Sequence, residues 1–491
     1  MAQPGTLDPS FGNDGHVSTA FGLASTYAGR VVTQPDGRIV VVSAVWSTSR
    51  DIGLTRYNAD GSLDDSFGTG GIVQLDVNVG SDDGSGPIVL LPDGKVLLFG
   101  SMDGDLLLVR FNTDGSVDSN FGTNGSTTVD VLAGESESPG NLVVRPNGQI
   151  VVVCTNDGDN GNGFGTVLQF SENGSLDPAF GTNGQLTIDW ATGTTTEWLS
   201  DLALASNGDI YMVGYTSIVG TDIIQVYRVN AAGALDMGFD DDGMMDLPVG
   251  PERDQPNSID VLATGKILIA GITESELYYD LFFVQLNANG SFDPSFGTGG
   301  TVITSISAGY VTDVLPLADG KFLFCSDSFN GVGTDMLISR MHADGSFDAS
   351  FGTDGITTTR IGSEGGFETG ISLALASDGN YIMTGRTGVD FKQSVVQIVL
   401  KYRSGVNASI REKVAEPMHL FPNPTSGWLR VITTHQPRSK GYIVLDTSGR
   451  SVVEVMANNG QLELPSSLNA DSYLLVPTDR SVPPHPFTLV R

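Results

Sequence analysis

The stretch Asp60–Gly71, DGSLDDSFGTGG, decides how the chain is read. It returns as DGSVDSNFGTNG at Asp114–Gly125 and NGSLDPAFGTNG at Asn173–Gly184. It comes back as NGSFDPSFGTGG at Asn289–Gly300 and DGSFDASFGTDG at Asp344–Gly355. A degenerate copy, AGALDMGFDDDG, fills Ala232–Gly243, and a truncated one, LDPSFGNDG, opens the chain at Leu7–Gly15. The aromatic anchors are Phe11, Phe67, Phe121, Phe180, Phe239, Phe296 and Phe351, spaced 56, 54, 59, 59, 57 and 55 residues apart. A fixed period of this size marks a repeat architecture.

Outward from the phrase, each period holds the same run of apolar segments. In 71–112 a first strand, GIVQLDV, is followed by a polar Gly-rich loop. PIVLL and KVLLFGS then flank Pro92-Asp93-Gly94, a tight-turn signal because Gly accepts positive φ cheaply. DLLLVRFN leads into the next DGS. The hairpin Gly recurs as Gly37, Gly94, Gly148, Gly208, Gly265, Gly320 and Gly379. Strands such as 39–45 are apolar on both faces and have to be covered on both. Four short strands per repeat and no helical pattern predict an all-β fold, a seven-bladed β-propeller over 1–405. The last unit ends at Leu400–Gly405 without an SFG phrase, and the chain begins with the missing piece. The N-terminal strand is therefore expected to complete the last blade, which hides two sheet edges. The inner strand is the one before each Asp-Gly turn, and each anchoring Phe is expected between blades.

The LDxSFGxxG phrase resembles the delta-60 repeat family over Leu7–Tyr402, a family found mostly in bacterial proteins of unknown function. The order of segments is also similar to NHL-repeat propellers, which implies an interaction platform.

After Gly405 the repeat stops. Residues 406–417 read as a linker, and several short strands in 418–491 predict a small C-terminal β-sandwich. This tail resembles the C-terminal sorting domain of the type IX secretion system in Bacteroidetes. The matching residues are Pro422, Asn423, Pro424, Thr425, Gly427, Asp446, Gly449, Arg450 and Tyr473. Asp471-Ser472 stands where that family usually has Gly before the Tyr, and the usual terminal Lys is missing. The resemblance implies the secretion machinery as a partner, and release or attachment at the outer cell surface. The opening MAQPG has no apolar signal core and reads as what stays after a signal peptide is removed, with Met1 added back.

The net charge is −32, and the residues from Val406 on are near neutral, so the repeats carry the excess. A surface this acidic repels phosphate backbones and anionic lipid, which excludes nucleic acid and membrane surfaces as partners. No apolar run is long enough to span a bilayer. Cys154 and Cys325 fall in equivalent strands of different repeats and are expected far apart and free.

Candidate chemistry is sparse. The loop NDGDNGNG resembles a calcium loop with Asp157, Asp159 and Asn160 as oxygen donors, yet Gly161, Asn162 and Leu168 break the EF-hand spacing. No other cofactor is expected. Asp240-Asp241-Asp242 reads as an exposed turn. The phrase Asp (Asp8, Asp64, Asp118, Asp177, Asp236, Asp293, Asp348) recurs in every unit, which fits a turn cap accepting backbone N–H groups better than a unique catalytic group. Asp201, Asp260 and Asp313 lie near the starts of inner strands, where they are placed to rim a central channel. Trp190 and Trp198 flank a Thr-rich loop, where burial between blades competes with stacking on a sugar. The histidines His16, His342, His419, His435 and His485 show no ligand spacing.

Repeat regularity without a unique reactive cluster predicts a secreted or surface binding or adhesion module with a protein or glycan ligand, and no catalysis. The alternatives are a polysaccharide-acting enzyme with its site at the channel mouth, and a purely structural surface component.

Overall fold

The computed structural model describes residues 3–22, 25–46, 49–157, 163–189, 196–218, 221–250, 253–274, 279–304, 306, 309–363, 365–388 and 395–405, and beyond them the strand segments 419–421, 428–432, 441–445, 451–458, 461–463, 471–477 and 485–489. The chain divides into two compact units, Met1–Val406 and Asn407–Arg491. The linker expected at 406–417 lies outside the described residues.

The described strands of the first unit form seven four-stranded antiparallel sheets. Blade 1 runs Ser25–Thr33, Ile39–Trp46, Arg50–Tyr57 and Ile72–Leu75. Blades 2 to 6 follow over 83–129, 136–188, 196–247, 254–304 and 313–359. Blade 7 takes Phe367–Leu375, Tyr381–Gly388 and Val396–Tyr402 from the end of the unit. Its fourth strand is His16–Thr19, which pairs antiparallel with Val396–Tyr402 in the register His16 to Leu400 and Thr19 to Gln397. In blade 2 the inner strand is split into Asp83–Gly84 and Ile88–Leu90, with Pro87, which has no N–H for the ladder, between the pieces. Blades 6 and 7 also touch through one parallel pair, Thr334 and Phe367.

The core consists of apolar clusters between successive blades. Phe67 packs with Val40, Val42, Ile52 and Leu54 of blade 1 and with Val96, Leu98 and Leu107 of blade 2. The other six anchors do the same at the remaining junctions. Phe11 joins Val31, Ile39 and Val41 of blade 1 to Ala374, Ile382 and Val399 of blade 7, which closes the ring. All seven are fully or almost fully buried. Each such burial contributes about 2–3 kcal/mol against leaving the ring in water.

The phrase also explains its own polar residues. Asp64 accepts the Ser66 N–H at 3.0 Å and Arg56 Nε at 2.7 Å. Arg56 covers the Phe67 ring at 4.5 Å and reaches the Thr113 carbonyl of the next blade. Arg110 and Arg340 repeat this over Phe121 and Phe351. Gly68 follows the Phe because a Cβ there would meet the Ile72 carbonyl oxygen at 2.3 Å.

The seven described strands of the second unit pair in the order His419–Phe421, Trp428–Ile432, Gln461–Glu463, Ser451–Asn458, Gly441–Leu445, Asp471–Pro477 and His485–Leu489, all antiparallel. Ser451–Asn458 pairs with Gly441–Leu445 through its first part and with Gln461–Glu463 through its last two residues.

Candidate functional site

Antiparallel neighbours within each blade sort the loops to two ends. The loops from second to third strand, and from outer strand to the next inner strand, emerge at one end, the loop face. The hairpin turns and the SFG phrases emerge at the other, the phrase face. The phrase face repeats itself around the ring. The loop face does not.

The exposed aromatic side chains among the described residues all belong to the loop face: Trp46 (48% exposed), Tyr279 (38%), Tyr310 (45%) and Phe329 (57%). Tyr27 meets Trp46 edge-on at 6.4 Å in blade 1. Trp198 stacks on Tyr215 at 6.4 Å and 15° in blade 4. Tyr279 and Tyr310 meet at 5.8 Å across the junction of blades 5 and 6. Arg50 and Arg386 lie over the Trp46 and Tyr27 rings. Trp198 is thus half-buried against a partner ring, and Trp190 lies outside the described residues.

The second feature is a belt around the axis. Seven residues before each hairpin Gly the inner strands carry Arg30, Pro87, Asn141, Asp201, Ser258, Asp313 and Ser372. Register shifts at Ala28/Val31, Pro139/Leu142 and Leu199/Asp201 bend the strands at this level. Asp201 accepts Ile259 N–H of the next blade at 2.9 Å, its own neighbour Leu202 N–H at 2.8 Å, and Asn141 Nδ2 of the preceding blade. Asp313 accepts Leu373 N–H at 2.7 Å and Ser372 Oγ at 2.9 Å, both from the next blade. Arg30 pairs with Asp313 at 2.5 Å, from blade 1 to blade 6. Asp260, two residues beyond the belt position, has no side-chain hydrogen bond among the described residues.

The charges at the axis are unequal. The Asp313 carboxylate, then Asp201, hold Arg30 more firmly protonated than usual, against its burial. Burial pushes Asp201 up, and Arg30 and Asn141 oppose it. Burial, then the Asp201 and Asp313 charges, push Asp260 well above the usual carboxylate range. The axis therefore sets a carboxyl of raised proton affinity, Asp260, beside two acids that accept from an arginine and from backbone N–H groups.

The other sequence candidates sit apart from the axis. Asp157 ends a strand on the loop face and is exposed, and Asp159 and Asn160 lie outside the described residues. Asp240, Asp241 and Asp242 are exposed, and Asp242 accepts the Met244 N–H at 3.0 Å. Cys154 and Cys325 are free and buried, and burial pushes both thiols up. Of the sorting-motif residues, Pro422, Asn423, Pro424, Thr425, Gly427, Asp446, Gly449 and Arg450 lie outside the described residues, and Tyr473 falls in the strand Asp471–Pro477. A groove of about 460 Å³ on the phrase face, lined by Gln34, Asp36, Arg38 and Arg56, has its arginines tied up by Asp64. Sequence reasoning missed Arg30, Asn141 and Ser372; counting back from the hairpin Gly would have aligned them with Asp201 and Asp313.

Residues 34–67, 91–121 and 262–296 match the β-propeller domain of unknown function DUF5122, each stretch running from a hairpin turn to an anchoring Phe. The chain is a β-propeller protein. Solved structures similar to this propeller include a protein of unknown function from Dyadobacter fermentans (12% identity, TM-score 0.43, covering 81% of this chain and 100% of that one). They also include an ulvan lyase bound to a glucuronyl-rhamnose sulfate sugar (10%, 0.46, 80% and 99%) and a glucose dehydrogenase (10%, 0.39, 64% and 95%). No curated relative matches the chain.

The expectation of no catalysis is corrected here. Propellers among the similar structures include polysaccharide lyases and a glucose dehydrogenase. The physical reason lies in the ring: it brings Arg30, Asp201, Asp260 and Asp313 to one axis from positions up to 283 residues apart in the chain. The lack of a contiguous motif is therefore no argument against a reactive site.

Proposed function

We propose that this propeller is a ligand-binding module of the cell exterior, and that its loop face takes a glycan. The observation that carries the reading is the aromatic asymmetry: Trp46, Tyr279, Tyr310 and Phe329 are exposed on the face whose loops differ from blade to blade. Flat rings beside carboxylates suit sugar faces and hydroxyls. A protein ligand is the other occupant such a surface accepts. In this reading the repeats are of the delta-60 kind. The C-terminal unit works as a type IX sorting domain through Pro422, Asn423, Pro424, Thr425 and Gly427, and places the propeller outside the cell. Affinity electrophoresis of the full chain in gels of soluble polysaccharides tests the binding. Retardation by at least one polysaccharide, lost on Trp46→Ala with Tyr310→Ala, is the expected result. Free migration in all gels, or retardation that survives both changes, removes the proposal.

A second reading rests on the axis. Asp260, a carboxyl whose proton affinity burial and the Asp201 and Asp313 charges raise well above the usual range, supports proton transfer to or from a bound sugar. The same polysaccharides are to be assayed for new reducing ends or unsaturated products. Turnover lost on Asp260→Asn supports a polysaccharide-acting enzyme, and turnover unaffected by that change removes the axial site from the reaction.

A further inference from the structure

Eleven residues before the hairpin Gly, five blades carry an acid: Asp83, Glu137, Glu197, Asp254 and Glu368. Its recurrent work is to hold the loop entering the blade. Asp83 accepts Val77 N–H, Glu137 Oε1 accepts Val131 and Leu132 N–H, Asp254 accepts Gly250 N–H, and Glu368 accepts Ile361 N–H. At Glu137, as at Asp254, a buried oxygen is left over. Glu137 is 3% exposed, and its buried Oε2 has no hydrogen-bond partner. Asp105, at the start of the third strand of blade 2, and Asp130, just past its outer strand, stand with it. One carboxylate oxygen from each of the three lies within 4.8 Å of the others. No ion pair among the described residues involves any of them.

The equivalent corners of the ring show what is missing. At the junction of blades 6 and 7, Asp335 stands where Asp105 does, and Arg360 where Asp130 does. Arg360 Nε pairs with Asp335 at 2.7 Å, and Thr387 Oγ1 donates to Glu368 at 3.0 Å. At the junction of blades 1 and 2, Ser81 Oγ donates to Asp83 at 2.7 Å and Gln74 Nε2 to Asp51 at 2.6 Å. Each of these corners draws its positive charge or its donors from the chain. The corner of blades 1 and 2 also holds three acids, Asp51, Asp76 and Asp83, with side-chain donors on two of them; at the corner of blades 2 and 3 the Val131 and Leu132 N–H groups reach Glu137, and no described side chain donates to Asp105, Asp130 or Glu137.

We propose that Asp105, Asp130 and Glu137 hold a divalent cation, calcium by its donor chemistry, that ties blade 2 to blade 3. The donors are all hard oxygens, with no His or Cys among them, which excludes a preference for zinc or copper. Calcium–oxygen bonds of about 2.4 Å allow ligand oxygens of one ion up to about 4.8 Å apart, so the three oxygens lie within the span of one coordination sphere. Water and loop carbonyls complete the six to eight ligands that calcium takes. The site differs from the loop at Asp157 and does not depend on the glycan reading.

The test uses the full chain, stripped with a chelator and titrated with calcium chloride by isothermal titration calorimetry, with thermal unfolding read in parallel. A binding heat and a rise in unfolding temperature on adding calcium are expected. Asp130→Asn and Asp105→Asn are expected to weaken binding at least about tenfold, the loss of one charged ligand from a site of few. Asp130 is exposed, so its variant keeps the fold. Asp157→Asn is expected to bind as the parent does. No calcium response in the parent, or a response that Asp130→Asn and Asp105→Asn leave unchanged, overturns the proposal.

Discussion

Phe11→Ala tests the closure of the ring. Phe11 is fully buried and sits between Val31, Ile39, Val41 and Tyr57 of blade 1 and Ala374, Ala376, Ile382 and Val399 of blade 7. Truncating a buried Phe costs about 3–5 kcal/mol, the transfer term plus the cavity left behind. The Lys401 ammonium over the ring, at 5.8 Å, adds about 0.5 kcal/mol. Phe67→Ala, at the equivalent place between blades 1 and 2, is expected to cost the full amount as global stability. Phe11 differs because it rides on the first twenty residues. These are held by the short ladder His16–Thr19 and by bonds such as Asp8 N–H to the Lys401 carbonyl (2.7 Å), Gly12 N–H to the Asp60 carbonyl (2.7 Å) and Gly352 N–H to the Pro4 carbonyl (2.8 Å). Once that segment detaches, Phe11 can cost no more than its docking contributed. Urea unfolding should therefore show a smaller midpoint shift for Phe11→Ala than for Phe67→Ala. Hydrogen exchange should show the amides of His16–Thr19 losing protection ahead of the other strands in the Phe11 variant alone. A loss under about 1 kcal/mol with unchanged exchange at His16–Thr19 would refute the idea that this strand latches the ring.

Three further outcomes follow from the same contacts. Asp201→Ala leaves the Ile259 and Leu202 N–H groups without their acceptor, at about 1–3 kcal/mol each, and Asp201→Asn, which keeps a carbonyl oxygen, should lose less in urea unfolding. Lys95, with Asn120 N–H and Arg110, holds Asp118 at about 2 against burial, and Lys321, Ser350 and Arg340 overcome burial to hold Asp348 low. A lowered folded value gives stability that is present above the unfolded range near pH 4 and lost as pH falls through the folded value. Asp118→Asn should therefore be less stable at pH 6 and flatten the thermal-unfolding profile between about pH 4 and 2. Cys154 and Cys325, buried and pushed up, should be silent to a thiol reagent in the folded protein and react in urea; rapid labelling under native conditions would contradict their burial.

What the sequence disclosed is what recurs. The anchoring Phe, the hairpin Gly and the phrase Asp do the same job in every blade, so their spacing displays them. The arginine eight residues before the Asp could have been read as well: Arg56, Arg110, Arg228 and Arg340 keep that offset and bind the Asp they precede. The axial belt was legible only in part. Asp201 and Asp313 stood out as carboxylates, while Arg30, Asn141 and Ser372 share their position without sharing their chemistry. Asp260 looks the same in the sequence, yet it stands two residues further on and lacks the backbone bonds of Asp201 and Asp313. The group at Asp105, Asp130 and Glu137 is spread over two blades and a loop, and only pairing brings its members together.

Electrostatics explains why the axis is the place where the repeats differ. A residue on the outside of a blade meets its neighbours at one fixed distance, so one solution copied seven times works. A residue at the belt meets its counterparts from the other blades around a single narrow axis. Seven identical carboxylates there would repel one another in a site with little water, and most would take up protons. Seven arginines would fail in the same way. A stable belt needs mixed signs and neutral donors, and it holds Arg30 against Asp313, Asn141 against Asp201, and Ser372 against Asp313. The ring symmetry that makes the scaffold easy to recognise thus forbids symmetry at its centre. Of the carboxyls named there, Asp260 is the one without a side-chain hydrogen bond among the described residues, and Asp260→Asn should cost little stability. A loss above about 1 kcal/mol in urea unfolding would mean that its carboxyl carries a bond essential to the ring.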